Sequence, residues 1–262
     1  MTDFVDAHRR LFAHYDDLCA RLDDARMATP SLCPGWDVRA VITHTIGVEH
    51  VLAGWAPSTE VPPPFEKLGS FEQELVGLDR AGFAESIAAT SSARLAELEA
   101  MSPGVLAQPS ITPTGIATYG RFLQVRVFDL WVHARDIALP LGEATDDTGF
   151  AAEAALQEVD DSVGYIVGKK IGLPEGMTIV FSIEGEGDDA VRRDIAVQVD
   201  GRATRVDSIG DPDVTIHSDV ATFVMLAAGR IDPQKQIDAG RITWSGDAAW
   251  GERAARNLAY TR

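Results

Sequence analysis

Cysteine, positive charge and long apolar runs are all scarce in this chain. Cysteine occurs twice in 262 residues, as Cys19 and Cys33, too few for a disulfide framework or a thiolate-based zinc site. Only 23 Lys and Arg face 40 Asp and Glu, for a formal net charge of −17. Such a surface repels nucleic-acid phosphates and anionic headgroups, whose binding needs clustered basic side chains. Lysine is confined to Lys67, Lys169, Lys170 and Lys235, and the arginine bias is a mark of GC-rich codon usage. No stretch of about eighteen apolar residues suits a membrane span, and Met1 to Asp17 lacks the apolar core of a signal peptide. The expectation is a soluble, cytoplasmic protein with neither nucleic acid nor membrane as partner.

What is present is a hydrophobic fraction of 45%, ample for a core and incompatible with disorder as the main state. The length suits one large or two ordinary domains. Up to Gly172 the apolar residues recur every three or four positions, which predicts helices near Phe4–Ala25, Asp37–Trp55, Ser70–Met101, Thr118–Leu139 and Thr148–Lys170. From Met177 onward short runs rich in Val and Ile predict strands near Thr178–Glu184, Asp194–Val199, Thr204–Ser208, Val214–His217 and Ile242–Ser245, antiparallel by their short connections. Helices are expected near Asp219–Ala228 and Ala248–Leu258. The reading is an up-down four-helix bundle over residues 1–172 followed by a smaller α+β domain over residues 173–262.

Several polar residues sit where apolar ones belong. On the helix from Asp37, His44 lies within the stripe of Val41, Val48, Val51, Leu52 and Trp55, so it needs a partner, whether as a core histidine or as a ligand. His50 points the other way. The helix Phe122–Ile137 is polar on two sides: Arg121, Gln124 and Arg135 on a solvent-like face, and Arg126, Asp129, His133 and Asp136 nearly opposite. Asp129 and His133, four apart, project together and can either chelate an ion or join Arg126 in a hydrogen-bonded clamp. If the two helices face each other, His44, Asp129 and His133 form a three-ligand set with open coordination positions, suited to zinc, with iron or nickel as alternatives.

At Cys33-Pro-Gly-Trp-Asp-Val-Arg-Ala-Val-Ile-Thr-His44 and Arg126-Val-Phe-Asp-Leu-Trp-Val-His-Ala-Arg-Asp-Ile137, followed by Leu141-Gly142, the sequence resembles the mycothiol-dependent maleylpyruvate isomerase family of DinB-like metal-binding bundles. The resemblance implies a divalent metal, usually zinc, held by His44, Asp129 and His133. The family pattern has Glu where this chain has Asp129, whose carboxylate is one carbon–carbon bond, about 1.5 Å, closer to the backbone. The stretch Val224–Asp247 resembles the sterol-carrier-protein fold, a related domain of which ends the isomerase family.

The resemblance also implies mycothiol as co-substrate, an electrophilic small molecule as substrate, and isomerisation or thiol transfer as the reaction. Arg230 is the candidate contact for an anionic group of the substrate or thiol, by the bidentate pairing that arginine makes best. Asp136 and Glu49 are positional candidates for a second base, and His217 is a weaker candidate for any site role. Cys33, Trp36 and Trp131 are expected to pack. The alternative is a non-enzymatic module that binds a small molecule or lipid, with the polar cluster of the bundle purely structural.

Overall fold

The apolar periodicity of the first residues becomes helix α1 (Thr2–Arg21) in the computed structural model, which describes residues 1–185 and 190–261. Its buried Leu11, Tyr15 and Leu18 recur at three- and four-residue spacing, and the Tyr15 hydroxyl donates to the Leu130 carbonyl at 2.9 Å. A short α2 (Asp24–Met27) follows. Helix α3 (Val38–Val51) begins where the Pro34-Gly35 break predicts, with the Asp37 carboxylate accepting the Ala40 N–H. The single helix expected over Ser70–Met101 is two, α4 (Leu68–Leu75) and α5 (Arg80–Ala100). Gly77, at φ +79°, turns the chain out of the helix, and Asp79 caps the next one through the Gly82 N–H. A hairpin of β1 (Pro109–Thr112) and β2 (Gly115–Thr118), too short for its alternation to register in the sequence, leads into α6 (Tyr119–Leu141).

Helices α1 and α3 each pack against both α5 and α6, so the first two long helices lie across a diagonal of the bundle. Val48, Leu52 and Trp55 of the second helical region meet Tyr119, Phe122 and Leu123 of α6 in one apolar cluster. The last turn of α6 contains Pro140, which has no N–H to give the Asp136 carbonyl. That carbonyl accepts the N–H of Leu32 instead, at 3.0 Å. Gly142, at φ +69°, ends the helix.

The chain divides into two compact units, Met1–Thr145 and Asp146–Arg262. The second opens with α7 (Gly149–Asp160), then α8 (Val163–Tyr165) and a π-helical segment, Ile166–Ile171, in place of one continuous helix to Lys170. The change of periodicity expected at 172/173 marks a change of secondary structure, and the compact unit starts earlier because α7 packs on a helix of the second unit, α9. Strands β3 (Thr178–Ile183), β4 (Arg193–Asp200), β5 (Arg202–Val206) and β6 (Val214–Ser218) are followed by α9 (Val220–Ala227), α10 (Pro233–Asp238), β7 (Ile242–Gly246) and α11 (Ala248–Arg256). The sheet order is β5-β4-β3-β6-β7. The expectation of antiparallel pairing fails at the centre: β3 and β6 are parallel, with Ile179 opposite Val214, because the chain leaves β5 and returns to the free edge of β3. Asp219 and Asp247 cap α9 and α11, and Phe181 packs on Phe223 between sheet and helix. Among the described residues no helix is long and apolar enough to cross a membrane.

Candidate metal centre

The bundle sets the three residues that the sequence singles out as ligands near one another, although they are not the trio of described residues whose donor atoms all lie within 4.8 Å. His44 projects from α3, and Asp129 and His133 from adjacent turns of α6, which packs against α3. The rings of His44 and His133 lie 5.7 Å apart between centroids at 76°. Two imidazoles bonded to one tetrahedral ion at roughly 2.0–2.1 Å stand about 5 Å apart by the same measure, closer than these two rings. Nε2 of His133 is 3.6 Å from Oδ1 of Asp129. The Asp129 side chain is 30% exposed and His44 is half-buried, whereas His133 is buried. The shorter acid therefore faces its histidine from within the site, on a side open to solvent.

Behind His133 lies a second set of donors. Its Nδ1 is 2.9 Å from Oδ2 of Asp136, and the same oxygen is 3.1 Å from Sγ of Cys33, which in turn is 3.6 Å from Nδ1. Among the described residues, Cys33, His133 and Asp136 form the trio of ligand-type side chains whose donor atoms lie within 4.8 Å of one another, and all three are buried. The i, i+3 spacing of His133 and Asp136 carries a sequence signal for their pairing. Cys33 carries none, since its partner is 103 residues away.

Beneath the site, Glu49 is fully buried between two guanidinium groups. Nε of Arg126 donates to Oε1 at 2.9 Å and Nε of Arg94 to Oε2 at 3.1 Å. Burial favours the neutral acid, but Arg126, Arg94 and His8 outweigh it and hold the Glu49 carboxyl below its usual range. A carboxylate saturated in this way is not placed to take a substrate proton, which corrects its candidacy as a base. Arg126 also donates from Nη1 to Oδ2 of Asp129 at 2.9 Å. The clamp and the chelate, alternatives in the sequence, thus share Asp129: one oxygen faces Arg126, the other His133.

The same neighbours set the site's protonation. Burial raises the Asp129 carboxyl, yet Arg126, His133 and His44 bring it below the ordinary aspartate value. Burial disfavours the His133 cation, but Asp129, Asp136 and Cys33 lift its pKa to about 10. Burial lowers His44, and His133 and Arg126 lower it further against the pull of Asp129.

Trp36, expected to pack, is instead 37% exposed, with its ring 4.8 Å from that of His44. Together with Leu75, Val76 and His44 it lines a pocket of about 390 Å³. Trp131 is buried as expected. Arg135, assigned to a solvent-like face, is buried over the Trp131 ring and donates to the Trp131 carbonyl, because the apolar part of its side chain packs with the indole. His50 is exposed and stacks on Phe71. Arg230 belongs to the second unit, half-buried just after α9, with its N–H on the Met225 carbonyl. His217, also in that unit, lies on β6 with Glu184 at 3.5 Å and Ser245 at 3.4 Å.

Residues 8–138 match a family model described as the mycothiol maleylpyruvate isomerase N-terminal domain, and residues 173–258 match the SCP-2 sterol transfer family. Among solved structures, the fold is similar to that of the mycothiol-dependent maleylpyruvate isomerase, at 21% identity over 94% of each chain with a TM-score of 0.58. A histidine-to-alanine mutant described under the same enzyme name matches at 20% identity over 94% of each chain, with a TM-score of 0.57. These likenesses establish a helical part followed by an SCP2-like sheet-and-helix part. No curated protein matches the sequence.

Proposed function

Because the chain belongs to the mycothiol maleylpyruvate isomerase family, we propose that it is a metal-dependent enzyme that uses mycothiol to isomerise an electrophilic small molecule or to transfer the thiol to it. The observation that carries this reading is the convergence of His44, Asp129 and His133 beside a pocket. Two imidazoles and a carboxylate suit zinc and leave a coordination position open. When bound, the ion supplies the Lewis acidity that favours the thiolate form of a thiol.

The chain's own residues do the rest. Arg126 keeps Asp129 ionised and fixes its orientation. Trp36 and Leu75 offer an apolar wall beside His44 for the carbon skeleton of the electrophile. There a thiolate adds to an activated double bond: the sulfur pair forms the C–S bond and the π pair moves onto the conjugated carbonyl oxygen. Rotation and expulsion of the thiolate, with return of that pair, yields the isomer, and protonation of the adduct yields a conjugate. Arg230, in the second unit, is assigned an anionic ligand group by its guanidinium chemistry alone.

Elemental analysis of wild type, His44→Ala and His133→Ala, purified without a metal-affinity tag, tests this reading together with turnover in the presence and absence of mycothiol. The expected result is about one zinc per chain, lost in both variants without loss of helical circular dichroism, and turnover that needs the thiol. Arg230→Lys should raise KM for the anionic partner without changing thermal stability. Wild type that takes up no zinc, with an apolar ligand extractable from it, would replace this reading with the binding module that the SCP-2 match favours.

A further inference from the structure

The trio with the closest donor atoms, Cys33, His133 and Asp136, has two possible roles. It is either a closed thiolate site for the ion itself or the support that stands behind His133. Two of its three distances favour the second role. In a tetrahedral zinc site, a sulfur at about 2.3 Å and an oxygen at about 2.0–2.2 Å from the ion stand roughly 3.5 Å apart. Sγ of Cys33 and Oδ2 of Asp136 are closer, at 3.1 Å, a hydrogen-bond distance for a thiol donor. The same Oδ2 lies 2.9 Å from Nδ1 of His133, so one carboxylate oxygen accepts from both sides. A proton on Nδ1 leaves Nε2 as the coordinating nitrogen, and Nε2 is the atom that faces Asp129.

We infer that Cys33 and Asp136 are positioning residues of the metal centre: the thiol donates to Asp136, Asp136 accepts from Nδ1 of His133, and Nε2 is thereby aimed at an ion shared with His44 and Asp129. The inference rests on the ligand set proposed above. Asp136 also acts through its main chain. Its carbonyl takes the Leu32 N–H, and the adjoining loop is closed by Ser31 Oγ and Ser31 N–H on the Trp36 carbonyl and by Trp36 N–H on the Cys33 carbonyl. That loop carries the indole to His44. One residue thus holds one ligand by its side chain and, through the loop, the neighbour of another.

The test uses the full chain as wild type, Asp136→Ala, Asp136→Asn, Cys33→Ala, Cys33→Ser and, for reference, His44→Ala. Zinc affinity is measured by competition with a chromogenic chelator, and absorption spectra are recorded with Co²⁺ in place of zinc. Loss of the carboxylate in Asp136→Ala should weaken zinc about 10- to 100-fold, with Asp136→Asn, which keeps an acceptor but not the charge, in between. Cys33→Ala removes the donor to Asp136 and should weaken zinc by less than Asp136→Ala does, and Cys33→Ser, which keeps a hydroxyl donor, should recover most of that loss; a Cys33→Ala affinity equal to wild type would overturn the role given to the thiol. Neither wild type nor Cys33→Ser should show a thiolate-to-cobalt charge-transfer band in the near ultraviolet. Circular dichroism of the metal-free proteins checks folding, and Asp136→Asn carries the test if Asp136→Ala does not fold. A charge-transfer band in wild type that vanishes in Cys33→Ser would make Cys33 a ligand and overturn the inference. Unchanged affinity in both Asp136 variants, with zinc lost in His44→Ala, would overturn it while leaving the ligand set intact. Zinc retained in His44→Ala would overturn the ligand set itself.

Discussion

Replacing Glu49 by Gln removes the one negative charge that two buried arginines share. Arg94 and Arg126 have side-chain exposures of 1% and 7%, and Glu49 has none, so water cannot take the place of the lost carboxylate. Removing one partner of a buried ion pair costs about 3–5 kcal/mol. The lower end applies here, because Arg94 keeps Glu97 and the Tyr119 hydroxyl and Arg126 keeps Asp129. For a unit of this size about 3 kcal/mol corresponds to a fall of roughly 6–12 °C in Tm. Calorimetry is the assay of choice, since it separates transitions where two units unfold apart, and a single Tm for a two-unit chain has no clear meaning. The triple change Glu49→Leu, Arg94→Met, Arg126→Leu should recover most of the loss, because an apolar cluster of similar volume replaces a buried ionic one at little net cost. A Glu49→Gln transition within about 2 °C of wild type would show that the two guanidinium groups find other partners and would refute the account of this network.

Two further outcomes are expected. Pro140→Ala supplies an N–H that competes for the Asp136 carbonyl, so hydrogen exchange at the Leu32 amide should quicken; unchanged protection would mean that the loop is held by other contacts. Below about pH 6.5 metal-free protein should lose stability on acidification in two stages. Burial, with Arg94 and Arg126, holds His8 below its ordinary 6.5, so the unfolded chain takes up that proton first and stability falls as pH drops below 6.5 toward the lower folded value. Glu49, held below 4.5, adds a loss in the same direction as pH falls through its own folded value. Denaturant midpoints should rise from about pH 8 to about pH 6.5, because folded His133, with its pKa lifted to about 10, holds a proton that the unfolded chain does not, and then fall toward about pH 4 as His8 and Glu49 take over; a midpoint still rising below about pH 5 would contradict the assignment.

The legible part of this protein is the part written at short range. The Pro34-Gly35 break and the Asp37 cap announce α3, and the four-residue step from Asp129 to His133 places two donors on one face of α6. The placement of His44 opposite them follows from motif and resemblance together. Ser70–Met101 looks continuous because one glycine in a periodic stretch is weak punctuation, and only the backbone shows that Gly77 leaves the helical region. A helical wheel puts Arg135 toward solvent because it sorts faces by polarity, whereas a long guanidinium side chain can cover an indole. The parallel pairing of β3 with β6, the diagonal order of the bundle and the thiol of Cys33 on Asp136 depend on chain crossings that no local pattern encodes.

The carbonyl that Pro140 leaves open has a consequence in time. Cys33 and Asp136 are 103 residues apart, and a ribosome adding about 5–20 residues per second needs roughly 5–20 s to cover that stretch. Throughout that interval the segment around Leu32 is out of the tunnel or leaving it without the acceptor that shapes it, and His44 is exposed to the cell's metal pool without Asp129 or His133 beside it. A lone imidazole holds zinc weakly and lets it go. The proposed centre would therefore come into being as one of the last acts in the birth of the helical unit, when α6 closes the bundle and delivers in a single element two proposed ligands, the carboxylate beside one of them, and the backbone oxygen that fixes the loop made long before.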